Sequence, residues 1–183
     1  EIYLDRLSDA GPGEYNHEQV RNIAAEGLEM VADADPSRLT GSVSLLFEEL
    51  ETAIDSEHYD MYSLRQVVGY LAVADTAIYE DVMARIRNES GITRRAALNV
   101  FAEIADQYPP EFDDPVPILA DLLDNADDEN VPAVQIASGL EELAYIRPAS
   151  IEQAIEPVLE RYESVDDPSG YNGQLATFAA NYP

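Results

Sequence analysis

The chain has no cysteine, no lysine and no tryptophan, and only two histidines. Without cysteine, disulfides and thiolate metal sites are excluded, and the redox compartment stays open. No apolar run approaches the roughly 20 residues that a membrane-spanning helix needs, so no membrane partner is expected. No charged-then-apolar leader is visible. The chain begins at Glu1 rather than Met, which points to a processed chain or a piece of a longer one. The two histidines, His17 and His58, sit near no serine or aspartate pattern. His17 follows a presumed helix cap, Asn16, and His58 lies in the acidic stretch "DSEHYD"; both read as surface positions. Phosphate-cradling glycine loops are also missing.

Charge of one sign dominates what is present. There are 37 Asp and Glu against 10 basic residues, all arginine, for a formal net charge of −27, while 46% of residues are apolar. That apolar share is enough for a core, so the chain is not an acidic disordered tail. In dilute buffer such a chain repels itself, whereas salt shortens the Debye length to about 3 Å at 1 M. Lysine is ordinarily among the commonest residues, and its complete absence has two explanations. One is engineering. The other is work in molar salt, where short carboxylates keep the surface hydrated and a long Lys stem adds little. The composition resembles that of cytoplasmic proteins from salt-in halophilic archaea.

Apolar residues recur at helical spacing almost throughout: Val20, Ile23, Ala24 and Leu28 fall three and four apart. No stretch alternates with period two, so an all-α fold is expected. Asp-Pro pairs at 35–36, 114–115 and 167–168 mark helix starts. Ser150 with Gln153 has the form of a capping box, and Asn16 with Gln19 a weaker one.

Self-comparison finds a repeat. The pattern "large apolar, two variable, branched apolar, Ala" appears as "LEMVA" (28–32), "YLAVA" (70–74), "FAEIA" (101–105) and "LEELA" (140–144). A second pattern follows each, as "SLLFEEL" (44–50), "DVMARIR" (81–87), "PILADLL" (117–123) and "PVLERYE" (157–163). Each unit therefore reads as a helical hairpin, with repeats over 16–56, 59–89, 90–125 and 129–164. A terminal half-repeat is expected over 167–183, and an arm or cap over 1–15. The acidic run "LLDNADDEN" (122–130) lacks the alternating ligands and central Gly of a calcium loop and reads as the exit turn of the third unit. The second unit has a short turn around Asp75 and Thr76. The whole is expected to be one continuous stack.

The segment "ITRRAALNVFAEIADQYPPEFDDPVPILADLLDNADDENV" (92–131) resembles a HEAT-type repeat. It has Arg94 near the start of the first helix, an apolar motif ending at Ala105, prolines in the turn and a second helix. The resemblance extends to 20–51, where Arg21 takes the place of Arg94. It continues without the Arg at 131–163 and is weakest at 61–89. It implies an α-solenoid of about four stacked hairpins plus a half-repeat, with second helices lining a concave surface.

Two sets of residues stand out as candidates for binding. "ARIRNESGITRR" holds Arg85, Arg87, Arg94 and Arg95, four of the ten arginines. On the local reading, Arg85 and Arg87 complement the negative end of a helix and Arg94 is structural, with Arg95 unassigned. On the binding reading, these forks meet phosphate or carboxylate groups. The other set is Glu48, Arg85, Asp121 and Arg161, each three residues after the anchor of a second helix. Stacked helices lie about 8–10 Å apart, so alternating signs there read as an ion-pair ladder that sets register. Phe47 and Tyr162, nearby, are either core or contact residues.

These observations lead to three functional expectations. The first is a non-enzymatic scaffold or adaptor that holds a macromolecular partner, above all a protein, on its second-helix face. The second is a nucleic-acid or ribosome-associated binder using Arg85 to Arg95. The third is a HEAT-like enzyme, for which the sequence places no acid-aromatic pocket. No metal or cofactor is called for, and the oligomeric state is open.

Overall fold

The computed structural model describes residues 2–8, 15–56, 62–106, 112–124, 133–146 and 148–164, together with Gly173. All regular structure among them is helical. The helices are α1 (Ile2–Ser8), α2 (Tyr15–Ala34), α3 (Val43–Ser56), α4 (Tyr62–Ala74) and α5 (Thr76–Asn88). They continue with α6 (Gly91–Asp106), α7 (Val116–Asp124), α8 (Ala133–Ile146) and α9 (Pro148–Ser164). Two short 3-10 turns, Pro36–Arg38 and Thr40–Ser42, join α2 to α3. The segments 125–132 and 165–172, and 174–183, lie outside the described residues, and with them the acidic exit turn and nearly all of the expected half-repeat. His58 and Pro109 are outside them too, as is the side chain of His17.

The chain divides into two compact units, Glu1–Val82 and Met83–Pro183, and the division falls within α5. In the first, α2 packs on α1 and α4, and α3 packs on α4. In the second, α6 packs on α8 and α7 on α9, while α8 also touches α7 and α9. The contacts are made by small and branched side chains. Ala24, Ala25, Leu28 and Ala32 are buried on α2, as are Leu64, Val67, Val68, Leu71 and Ala72 on α4. In the second unit Phe101, Ile104, Leu119, Leu123, Ile136, Leu140, Ile151 and Val158 are buried. Each such Leu, Ile or Phe contributes about 1.5–3 kcal/mol relative to exposure. Phe47 is buried, which makes it core; Tyr162 is half-buried.

The residues at helical spacing in α2 do not share one buried face. Ala24 and Leu28 are buried, but Val20 and Ile23 are 40% and 63% exposed. The buried stripe runs through the small residues instead, because alanine lets α4 approach closely.

Caps account for where several helices begin. The Asp75 carboxylate accepts from the Ala77 amide (2.9 Å), so one residue closes α4 and opens α5. Its own amide bonds back to the Leu71 carbonyl (2.9 Å). Asp114 accepts from the Val116 amide (3.1 Å) at the start of α7, ahead of Pro115. Asp35 precedes a 3-10 turn rather than an α-helix, and its carboxylate takes the Ser37 hydroxyl (2.6 Å), not a backbone amide. The expected Ser150–Gln153 capping box is not formed. The helix already starts at Pro148, and Gln153 Nε2 donates to the Ser150 carbonyl (3.0 Å). Proline supplies a preset φ at the first turn.

Two glycines mark close helix approaches. A Cβ on Gly139 of α8 would stand 3.1 Å from the Phe101 ring of α6, and one on Gly27 of α2 would stand 2.7 Å from the Tyr3 ring of α1. Both glycines immediately precede the first anchor of their sequence unit, Leu28 and Leu140, and Gly69 precedes Tyr70 in the same way.

Candidate functional site

Arg21 on α2 and Arg94 on α6, which correspond in the sequence repeat, are both half-buried. On α2, half-buried Arg21 donates from Nε to the Leu7 carbonyl (3.2 Å), which ties α1 to α2. Its charge also reaches Glu49 on α3. Burial raises the Glu49 carboxyl above the ordinary glutamate value, Arg21 opposes that shift, and neighbouring Glu48 adds to it. Glu49 Oε2 is buried without a hydrogen-bond partner among the described residues. On α6, Arg94 is half-buried, and its Nε likewise finds no hydrogen-bond acceptor among the described residues.

The four-arginine cluster is two exposed arginines and two half-buried ones. Arg85 and Arg87 stand in the last turn of α5, where a cation complements the helix dipole. Arg85 is half-buried and Arg87 exposed. The Glu89 amide extends the helix by bonding to the Arg85 carbonyl (3.0 Å), and Gly91, at φ +57°, then reverses the chain into α6. Only glycine takes that conformation without strain. Arg95 is exposed, and its carbonyl receives the Asn99 side-chain amide (3.0 Å). Arg87 and Arg95 are therefore more open to solvent than Arg85 and Arg94.

The second-helix positions are distributed over both units. Glu48 on α3 is exposed, and its carbonyl accepts from the Thr52 hydroxyl (2.9 Å). Arg85, Asp121 and Arg161 belong to the second unit, where α7 and α9 pack on one another. Asp121 is exposed and Arg161 half-buried. Arg161 lines a groove between these helices with Leu123, Asp124, Pro157, Glu160 and Ser164. Leu123 is 1% exposed and Pro157 half-buried, and the other lining residues are polar or charged. Pro157 lies inside α9 and has no amide hydrogen to give to its own helix.

The sequence reading found Arg161 but not its neighbours Asp124, Pro157, Glu160 and Ser164. The available signal was a proline in the interior of an otherwise helical run. A second surface lies along α9 itself, where Glu152, Ile155, Glu156, Leu159, Glu160 and Glu163 line a shallow hollow. Among the described residues no group of three or more His, Asp or Glu is placed to hold a metal ion, and no helix is long and apolar enough to cross a membrane.

No family model, no curated protein and no solved structure matches this chain.

Proposed function

We propose that the chain is a non-enzymatic scaffold or adaptor, an α-solenoid of HEAT-like helical hairpins. It holds a partner protein along its second helices in the high-salt cytoplasm of a halophilic archaeon. Repeat stacks bury each hairpin against its neighbours and leave an extended surface for recognition. Three features support the architecture: the doubled sequence pattern, the packing of first helix on first helix (α2 on α4, α6 on α8), and the packing of α7 on α9. The observation that carries the binding reading is the groove between α7 and α9, where Arg161 lies with Leu123 and Pro157. In molar salt, long-range steering is screened, so apolar contact and a short-range Arg fork are the interactions left to hold a partner. The reading assigns no catalytic residue, metal or cofactor.

A nucleic-acid or ribosome-associated partner is the second reading, favoured by the exposure of Arg87 and Arg95 at one helix junction. Affinity purification of the tagged chain at molar KCl, with and without nuclease, separates the two. The scaffold reading expects a stoichiometric protein that survives nuclease. Retention of RNA, lost on reversing Arg87 and Arg95 to Glu, would replace it with the second reading.

A further inference from the structure

The third and fourth residues of the second sequence pattern are placed differently in α9 from the other second helices. Leu46 and Phe47 on α3, Met83 on α5, and Leu119 and Ala120 on α7 are buried, and Ala84 on α5 is half-buried. On α9 the third residue, Leu159, is 43% exposed, and the fourth is Glu160, also exposed. A position that is core three times therefore reaches the surface here, and its neighbour has changed from apolar to acidic.

Leu159 belongs to a graded strip along α9. At 3.6 residues per turn, half-buried Ile155 and Leu159 stand one turn apart, beside the buried stripe of Ile151, Ala154 and Val158. Outward of that pair, Glu152, Glu156, Glu160 and Glu163 line the same hollow, and all four are exposed. Arg161, the only base on α9, lies on the other side of the helix, in the groove with α7.

We infer that this strip docks an amphipathic helix of a partner protein. The partner's apolar side chains cover Ile155 and Leu159, and its arginines meet the four glutamates. Charge complementarity decides the occupant. A neighbour of this chain's own kind would set apolar side chains against the fourth position, which is Phe or Ala in the other units and Glu160 here. Covering these carboxylates without a counter-charge is costly, whereas arginine forks match carboxylates two bonds at a time. Such contacts, at about 2.8 Å, fall inside the Debye length of about 3 Å in 1 M salt. They therefore persist where long-range attraction does not. The strip and the groove with α7 share only Glu160 among their lining residues, so filling one does not require filling the other.

Fluorescence anisotropy in molar KCl tests this with two synthetic helical peptides of equal length. Both carry leucines four residues apart; one has arginines beside them, and the other has glutamine in place of each arginine. Wild type should bind the arginine peptide at least about tenfold more tightly than the glutamine peptide. Leu159→Glu should weaken that binding at least about tenfold, although it adds a negative charge. Its far-UV circular dichroism should match wild type, because Leu159 is already at the surface. Asp33→Asn, which removes an exposed acid of α2, should bind as wild type does. Binding that Leu159→Glu leaves unchanged or strengthens would reflect net charge alone and would overturn the inference. So would binding of neither peptide, the result expected if residues 165–183 of the same chain fill the hollow. A chain that dimerises in sedimentation velocity until Leu159 is replaced would also overturn it, by giving the strip to a second copy.

Discussion

The Phe101 ring of α6 lies against the bare backbone of Gly139 on α8, so close that a Cβ there would stand 3.1 Å from two ring carbons. Phe101 is 1% exposed. Gly139→Ala gains about 1 kcal/mol of helix propensity but overpacks a filled core, which typically costs about 1–3 kcal/mol. A net loss of about 1 kcal/mol is expected in chemical denaturation. Phe101→Leu should relieve it, so the double substitution should be less destabilised than the sum of the singles. Strict additivity would mean that the two residues do not define the approach of the helices.

The all-α class was legible because apolar spacing near 3.6 and Asp-Pro caps are local signals. Asp114 could be placed as a cap for the same reason, whereas Asp75 was legible only as part of a short turn. The facing of each helix was less legible. The pattern through Val20, Ile23, Ala24 and Leu28 fits two overlapping stripes, and only tertiary packing selects the alanine-rich one. Ser150 has the right neighbours for a cap, but Pro148 starts the helix before it. The groove at Arg161 escaped the sequence because its residues come from two helices about 40 positions apart.

Asp75 alone separates α4 from α5, so its cap is expected to matter more than that of Asp35. Asp75→Ala removes a carboxylate bonded to a backbone amide and should cost about 1 kcal/mol. Asp35→Ala breaks only a bond to the Ser37 hydroxyl and should stay within about 0.5 kcal/mol of wild type. Urea denaturation of both variants gives the comparison, and equal losses would contradict it.

Burial holds the Glu49 carboxyl above its ordinary value. The folded state therefore binds the proton more tightly than the unfolded chain does. The stabilisation linked to Glu49 is complete below the unfolded value and is lost as pH rises through the raised folded value. Glu49→Gln removes this linkage. Relative to the Gln variant, wild type should gain melting temperature as pH falls from neutral toward the ordinary glutamate range. At neutral pH the Gln variant should be at least as stable. A difference that does not change with pH would show that Arg21 cancels the burial.

The proposed high-salt setting makes its own prediction. A formal charge of −27 repels itself in dilute buffer and is screened in molar salt. Helical circular dichroism at 222 nm, and with it the melting temperature, should rise as KCl goes from millimolar to molar. Full and equal stability in dilute buffer would refute adaptation to salt.

The claim that a partner protein is held in the groove between α7 and α9 is tested most directly by one binding measurement. The partner recovered at molar KCl is titrated against wild type, Ser164→Arg and Asp33→Arg. Ser164 is exposed on the groove rim, so Ser164→Arg fills the groove from outside without disturbing the core. Asp33→Arg makes the same kind of change on exposed α2 surface. The account predicts binding weakened at least about tenfold by Ser164→Arg, equivalent to about 1.4 kcal/mol, and unchanged by Asp33→Arg. Equal affinity for all three chains would contradict it.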